Sequence, residues 1–264
     1  MMEATIAAER LLGVPGGIEV DEDQVKLWTD LIRMNGYVIL ENALPLALIE
    51  RMRDRFDQLL SERAAAEPSN RGVNRYQMYL PFEEPFAHPL VYEHPLVLRI
   101  LERLMGSDLI CTYFASDTPM PGADYQRVHS DTRLLFPEST LSLPCYGAVL
   151  NIPLVDATEE NGSMEIWPGG SHLNPGQLEM AQLAPLMRSE RANMRAGSIL
   201  LRDLRMWHRG TPNRGARSRP NMALVYTRAW YRFEQRPFEI RRSIYDGLPE
   251  HVKRMFRFNT ILSE

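Results

Sequence analysis

The sequence contains one short pairing of histidine and carboxylate whose spacing suits metal binding. In the segment QRVHSD, His129 and Asp131 are two residues apart, and a strand would place both side chains on one face. A second histidine, His208, lies far downstream in the run RMWHRGTPN. Two histidines and one carboxylate can occupy one face of an Fe(II) ion and leave three positions open for small ligands and oxygen. His129, Asp131 and His208 are therefore candidate metal ligands and catalytic residues.

The HxD spacing has an alternative interpretation, because the pattern is short and the downstream histidine is free to be chosen. His129 and Asp131 could form an ordinary ion pair on the surface of a strand. The other isolated histidines, His88, His94 and His251, have no partner at suggestive spacing. We expect them to be structural, hydrogen-bonded residues.

An arginine beyond the second histidine adds to the pattern. Arg219 lies eleven residues after His208, at the start of the apolar run MALVYTRAW and beyond the turn-rich connection TPNRGARSRP. This connection predicts a hairpin that returns the guanidinium to the metal. Arginine suits two-point binding of a carboxylate, so it could anchor the far end of a metal-bound dicarboxylate. The alternative is a surface arginine in an arginine-rich turn.

The elements that must position these residues change in character near residue 108. Before it, apolar residues recur at helical spacing in three segments, which begin near Asp21, Pro45 and Pro95. A short apolar strand is predicted between the first two, at residues 37–40, and the loop-like stretch PSNRGVNR (68–75) is interpreted as a mobile loop. The apolar helix faces are expected to pack on a core.

After residue 108 the chain consists of short β-type runs separated by Gly, Pro, Asn and Asp. This pattern is typical of an all-β sandwich or barrel, and seven or eight strands after a helical lead-in predict a jelly roll with helices packed outside it. We expect one domain over residues 1–264, with a helical lead-in to about 107, a β core to about 232 and a C-terminal extension. The predicted strands are DLICTYFAS, DYQRVHS, YGAVLNIPLV, SMEIW, SILL, MWHRG and MALVYTRAWYRF.

Composition excludes several classes of protein. Hydrophobic residues make up 44% of the 264 residues and charged ones 24%, which is close to ordinary globular usage. The 30 Lys and Arg against 34 Asp and Glu leave a net charge of -4, without the basic excess of a nucleic-acid-binding protein. Cys111 and Cys145 are interpreted as buried, reduced thiols. No signal peptide or apolar membrane span is recognisable, so we expect no membrane partner and a cytoplasmic location, and the oligomeric state stays open.

Taken together, these motifs resemble the phytanoyl-CoA dioxygenase (PhyH-like) family of Fe(II)/2-oxoglutarate oxygenases. The family has an HxD pair, a distal histidine in a WHRGTPN-type stretch and an arginine eleven residues beyond it. The segments DATEENGSMEIWPGGSH (156–172) and NGYVILENALP (35–45) are also similar to family segments. The resemblance covers roughly residues 20 to 232.

The resemblance implies a double-stranded β-helix, a cupin-like distorted jelly roll, with Fe(II), 2-oxoglutarate and O2 as its reaction partners. It further implies that Arg219 pairs with the far carboxylate of 2-oxoglutarate and that His172 is structural. Gln126 and Asn151 match positions where family members contact the cosubstrate, although buried amides need partners in any fold. In the family, Asn151 commonly corresponds to a tryptophan. The implied iron ligands are His129, Asp131 and His208.

The implied activity is oxidation of a small, partly apolar metabolite with release of succinate and CO2. Family members that chlorinate carbon have a small residue in place of the carboxylate, so Asp131 favours oxygenation over halogenation. Two alternatives stay open: a cupin-type metal dioxygenase without 2-oxoglutarate, and a non-enzymatic jelly-roll module that binds a small ligand. Several apolar residues could line a substrate pocket, but core packing is the commoner role for such residues. They are Tyr76, Met78, Tyr79, Leu80, Tyr125, Leu134 and Trp230.

Overall fold

The computed structural model describes residues 5–6, 21–173 and 179–263 of the chain. Its helices are α1 (Glu22–Asn35), α2 (Leu46–Ala66), α3 (Pro89–Tyr92), α4 (Pro95–Met105), α5 (Met180–Leu183), α6 (Arg242–Asp246) and α7 (Glu250–Phe256). Its strands are β1 (Thr5–Ile6), β2 (Tyr37–Leu40), β3 (Arg75–Tyr79), β4 (Leu109–Pro119), β5 (Gly147–Pro153), β6 (Met164–Ile166), β7 (Glu190–Ala192), β8 (Ile199–Asp203), β9 (His208–Arg209), β10 (Asn221–Arg228), β11 (Glu239–Arg241) and β12 (Thr260–Leu262).

Two sheets form the frame of the described structure. The larger has the order β1-β2-β8-β5-β10-β4-β3, and all its neighbouring strands are antiparallel except β1 and β2. The smaller has the order β7-β6-β9 and is antiparallel. Strands β11 and β12 form a separate parallel pair. The predicted mainly β fold, a jelly roll with flanking helices, is confirmed.

Alternation along the central strands decides which residues reach the interior cavity. In β5, Leu150 and Ile152 face the main apolar core with the helices, whereas Val149 and Asn151 line the cavity. Strand β10 shows the same two-residue period: Met222, Leu224 and Tyr226 join the core, and the residues between them line the cavity. Both faces of these strands are buried, which explains why their sequences read as continuous apolar runs.

The three predicted helices are confirmed as α1, α2 and α4, and α1 has an ordinary cap at each end. The Asp21 side chain accepts a hydrogen bond from the amide of Asp23 at 2.9 Å, and Gly36 ends α1 with φ of 90°, which favours glycine. The predicted loop 68–75 is shorter than expected, because Arg75 already belongs to β3. Asn70 in this loop exchanges two hydrogen bonds with the backbone of Gln77, at 2.8 and 2.9 Å.

Two details of the predicted β region are wrong. The run DYQRVHS is not a strand, because its contact with β9 is limited to a single bridge between His129 and His208. Strand β9 is two residues long, too short to extend a ladder along the run. The segment before Arg219 is also not a hairpin arm, because β9 pairs with β6 in the small sheet and β10 pairs with β4 and β5 in the large one. Residues 210–220 therefore cross between sheets.

The C-terminal extension packs on the same apolar core as the helices. Phe238, Ile240 and Phe256 belong to the cluster that also contains residues of α1, α2 and α4. The predicted strand MALVYTRAWYRF ends earlier than expected, at Arg228, where a turn begins. Across the described parts of the chain, every helix is too short or too polar to cross a lipid bilayer.

The two cysteines differ in burial. Both are free thiols. Cys111 is fully buried as predicted, and burial raises its pKa to about 12. Cys145 is only partly buried, so the prediction of two buried thiols is correct for Cys111 and too strong for Cys145.

Candidate active site

The three predicted metal ligands converge at the cavity between the sheets. Among the described residues, His129, Asp131 and His208 form the cluster of histidine and carboxylate groups that could hold a metal ion, with ligand atoms all within 4.8 Å of one another. His208 Nε2 lies 3.5 Å from Asp131 Oδ1, and the two imidazole centroids are 4.4 Å apart. His129 and Asp131 line the same cavity even though no strand forms in this segment.

Hydrogen bonds from the rings to backbone carbonyls orient both imidazoles. The Nδ1 atom of His129 lies 2.8 Å from the Arg127 carbonyl, and that of His208 lies 3.0 Å from the Met206 carbonyl. A carbonyl can only accept, so both Nδ1 atoms must carry the proton and donate. This tautomer leaves Nε2 as the lone-pair nitrogen of each ring, which is the state a metal ligand requires.

The charges at this site favour a neutral His129 beside an ionised Asp131. Burial, together with the neighbouring His208, lowers the pKa of His129 to about 4. Burial raises the pKa of Asp131, but the nearby Arg202 guanidinium and the two histidines outweigh it and hold that pKa well below its usual range. Neutral imidazoles and a carboxylate are suitable donors for Fe(II).

A fourth residue, Arg202, lies at this site and was not predicted. Its side chain extends from β8, is 2% exposed and lines the cavity. Its Nη2 donates to Asp131 Oδ2 and lies 3.5 Å from His208 Nε2, and its Nε donates to Asn151 Oδ1 at 3.1 Å. The available signal in the sequence was the pair of charged residues Arg202 and Asp203 directly after the apolar run ILL, because charged residues are unusual in a buried strand.

Arg219 lies in the same cavity, close to a second arginine and one aspartate. It is 4% exposed, and its Nε has no hydrogen-bond partner among the described residues. Asp117 attracts Arg219, but its Oδ2 is paired at 2.8 Å with the buried Arg75. Burial is the main cause that lowers the pKa of Arg219 to about 10. One carboxylate thus faces two buried guanidinium groups, which leaves a positive charge for an anionic ligand to neutralise.

The two predicted amides also line the cavity. The Oε1 atom of Gln126 accepts from the amide of Gly210 at 2.9 Å, which ties the segment before His129 to the segment after His208. Asn151 is buried and accepts from Arg202. Both amides therefore have protein partners, as expected of buried polar groups, and both still present atoms to the cavity.

The cavity has a volume of about 260 Å³. Its charged and polar end contains the residues described above, and its apolar wall includes Tyr113, Val149, Val225 and Phe233. None of the apolar residues proposed from sequence lines it. Tyr76, Met78 and Leu80 are buried in the main core, Tyr79 lies outside the cavity, and Tyr125, Leu134 and Trp230 are exposed. The sequence did not distinguish these residues from those that line the cavity. Which side chains face the cavity depends on how the strands pair, and the sequence does not show that pairing.

The remaining histidines have structural contacts away from the cavity. His94 and His172 are buried and lie 3.1 and 3.0 Å from the carbonyls of Ala43 and Arg33. His88 accepts from the amide of Leu90 at the start of α3. His251 is exposed beside Glu93.

The donor set fits an Fe(II) ion, and the arginine fits a dicarboxylate. Two lone-pair nitrogens and one carboxylate oxygen converge on one side of an open cavity, which leaves room for further ligands. In the same cavity, and within the described parts of the chain, Arg219 has a buried nitrogen without a partner and shares its nearest counter-charge, Asp117, with Arg75. The arrangement can therefore bind a metal and a small anion together.

Two solved structures with a similar fold are enzymes of nogalamycin biosynthesis. The non-haem alpha-ketoglutarate-dependent epimerase SnoN from nogalamycin biosynthesis matches with a TM-score of 0.61 and 20% identity, covering 79% of this chain and 85% of that one. The carbocyclase SnoK from the same biosynthesis, also described as non-haem and alpha-ketoglutarate dependent, matches with a TM-score of 0.61 and 23% identity, covering 81% and 88%.

Sequence comparison gives a relative and a family. "Dioxygenase af480" from Aspergillus fumigatus is 24% identical over 194 residues, which are 69% of this chain and 60% of the relative. The chain thus spans less than two thirds of the length of that protein. The model of the phytanoyl-CoA dioxygenase (PhyH) family matches residues 32–221, a stretch that contains every cavity residue singled out from the sequence. The chain belongs to the phytanoyl-CoA dioxygenase family.

Proposed function

We propose that this chain is an Fe(II)- and 2-oxoglutarate-dependent oxygenase that oxidises a small, partly apolar molecule and releases succinate and CO2. Membership of the PhyH family supports this reaction class. The observation that carries the proposal is the combination, in one cavity, of a converging His, Asp and His cluster with a buried arginine that lacks a counter-charge of its own.

Each part of the cavity has a separate task in this proposal. His129, Asp131 and His208 hold the iron, and Arg219 holds the far carboxylate of 2-oxoglutarate. When bound, iron with 2-oxoglutarate and O2 supplies the oxidising chemistry. Gln126 contacts the cosubstrate or holds together the segments that carry the metal ligands His129 and His208.

The substrate occupies the apolar part of the cavity. Val149, Val225 and Phe233 provide a wall without charges, which orients a hydrocarbon portion and excludes water. The limited volume supports a small molecule. Hydroxylation is the default outcome, and the epimerase and carbocyclase among similar structures make epimerisation or ring closure the other outcomes to test. Asp131 supports oxygenation over halogenation.

Each of the two rival functions leaves one part of the cavity without a task. A metal dioxygenase without 2-oxoglutarate has no task for an unneutralised buried guanidinium. A jelly-roll binding module without redox chemistry has no task for two converging histidines and an ionised carboxylate. Because both features occur in the same cavity, we favour the 2-oxoglutarate oxygenase.

We further propose that residues 1–264 act as one oxygenase domain and that the protein works in the cytoplasm. The shared core of the helices, the large sheet and the C-terminal extension supports the first of these statements. The free thiols Cys111 and Cys145 support the second.

The direct test is anaerobic addition of Fe(II) and 2-oxoglutarate to the protein. The expected result is the weak visible charge-transfer absorption of an iron chelate of the 2-oxo acid. The absence of this absorption, in protein that binds Fe(II), would contradict the proposal. Candidate metabolites are then screened for substrate-stimulated release of succinate, which identifies the substrate class.

A further inference from the structure

Arg202 is a buried cation inside the proposed cation site. Its guanidinium lies against the Asp131 carboxylate and next to His208 Nε2, both of which are proposed metal ligands. A positive charge in this place opposes the binding of a divalent cation, because like charges repel strongly where water is excluded. Packing alone therefore does not explain why an arginine occupies position 202.

The contacts of Arg202 divide its nitrogens into used and unused groups. Nε donates to Asn151 Oδ1, and Nη2 donates to Asp131 Oδ2. Nη1 is buried and has no hydrogen-bond partner among the described residues. A buried donor without a partner is destabilising, so an unused N–H on a side chain that lines the cavity indicates a missing acceptor.

The charges indicate what the missing acceptor is. Asp131 is the counter-charge of Arg202. Once the carboxylate also binds a metal ion, its single negative charge serves two cations. An anion that lies against both the metal and Nη1 restores the balance, and a carboxylate has two oxygens with which to do so.

We propose that Arg202 binds the metal-end carboxylate of the 2-oxo acid through Nη1, while Arg219 binds the far carboxylate. This inference rests on the proposed function and assigns to each end of the cosubstrate its own arginine. Arg202 is then a cosubstrate-binding residue as well as the partner that holds Asp131 Oδ2 and leaves Oδ1 free for the metal.

Two ligands separate the two ends. Oxalate has the metal-end carboxylate and lacks the far one, whereas N-oxalylglycine has both. Their dissociation constants are measured calorimetrically on the full chain saturated with Mn(II), a metal that does not turn over. Arg202→Met should weaken both ligands by roughly 10-fold or more, the loss expected for one charge-assisted hydrogen bond. Arg219→Met should weaken N-oxalylglycine and leave oxalate unchanged.

A matched control removes a nearby arginine that does not line the cavity. Arg209 follows His208 directly and pairs with Glu165 at 2.6 Å. Arg209→Gln should bind both ligands as the wild type does. Arg202→Lys serves as a second variant in case the Met variant does not fold, and it should still weaken oxalate, because one ammonium cannot reproduce three planar contacts.

The outcomes separate this inference from the proposed function. If the wild type with Mn(II) does not bind N-oxalylglycine, the proposed function fails. If it does bind, and a folded Arg202 variant binds oxalate with wild-type affinity, Arg202 only supports Asp131 and the inference is wrong. Loss of oxalate affinity in Arg202→Met together with its retention in Arg219→Met supports the assignment.

Discussion

His129 and His208 are joined by a reciprocal pair of backbone hydrogen bonds. The amide of each residue donates to the carbonyl of the other, at 3.0 and 2.9 Å. The distance between two proposed metal ligands is therefore set by the main chain and not by flexible side chains. Because these bonds do not involve the imidazoles, replacing one ring should leave the backbone position of the other unchanged.

This arrangement makes ligand variants interpretable. We expect His129→Ala and His208→Ala each to abolish turnover and to weaken Fe(II) binding strongly, because each removes one of only three protein ligands. Asp131→Asn is a better third variant than Asp131→Ala, since it keeps an acceptor for the buried Arg202. The measurements are Fe(II) titration and succinate release, with circular dichroism to verify folding.

An exposed histidine provides the control for these variants. His251 lies beside Glu93 on the surface, away from the cavity, so His251→Ala should bind Fe(II) as the wild type does. Substantial activity in any two of the three ligand variants would exclude this triad as the metal site.

The second prediction concerns the 2-oxoglutarate requirement. Arg219→Lys keeps the charge and loses the planar two-point contact, so it should raise the concentration needed for half-maximal activity. Arg219→Met should raise it about 10- to 150-fold, the cost of a charge-assisted hydrogen bond of about 1.5–3 kcal/mol. Affinity for Fe(II) alone should change little. The measurement is a 2-oxoglutarate titration of succinate formation at fixed iron.

Removal of Arg219 should also affect stability in a direction that an ordinary structural arginine would not. The guanidinium is buried next to Arg75 with one shared carboxylate, so the ligand-free protein bears an electrostatic cost. Arg219→Met should therefore melt at or above the wild-type temperature without 2-oxoglutarate, and gain less from its addition. If the 2-oxoglutarate titration curves of the wild type, Arg219→Lys and Arg219→Met coincide, Arg219 does not bind the cosubstrate.

The sequence was sufficient for the strands and helices whose apolar pattern is regular. Continuous apolar runs predicted β4, β5 and β10, and the spacing of Val25, Trp28 and Ile32 predicted α1. The HxD motif was found although its strand was not, because His129 and Asp131 are close enough in sequence to reach the same cavity without a regular strand. The pattern of neighbouring residues is sufficient to predict features that depend only on the local geometry of the chain.

The pairing of strands, and the crossing of the chain from one sheet to the other, cannot be predicted from the pattern of neighbouring residues. Arg202 reaches the metal ligands because β8 pairs with β5, which places it opposite Val149 on the cavity face. Asp117 and Arg75 meet through the pairing of β4 and β3. These contacts join residues from distant parts of the chain, and no spacing in the sequence reports them. The same limit explains why the predicted aromatic wall was misplaced.

The third prediction tests the close packing at Gly210. A Cβ atom built there would lie 2.6 Å from the Arg75 guanidinium and 2.6 Å from Gln126 Oε1, closer than real contacts allow. Gly210→Ala should therefore displace both side chains and weaken 2-oxoglutarate binding and thermal stability, with a smaller effect on Fe(II) affinity. Gly247→Ala is the matched control, because its added Cβ would meet only ordinary contacts at 3.5 and 3.8 Å. Equal 2-oxoglutarate affinity in both variants would exclude Gly210 as a packing constraint.

The fourth prediction concerns the pH dependence of folding. His94 is 2% exposed, and burial lowers its pKa below the ordinary value of 6.5 in spite of its contact with the Ala43 carbonyl. Unfolded chains therefore bind a proton at His94 more readily than folded ones. The free energy of unfolding should be highest above about pH 6.5 and fall as the pH drops below that value.

A variant that cannot titrate isolates this contribution. Asparagine is a good residue at the start of a helix and provides an amide donor, so His94→Asn should fold, with some loss of stability from the smaller side chain. Urea unfolding of both proteins at about pH 7.5 and about pH 5.5 measures the change in unfolding free energy with pH. The decrease should be smaller in the variant and not zero, because burial also lowers the pKa of His172. An identical decrease in both proteins would show that His94 takes up its proton equally well folded and unfolded.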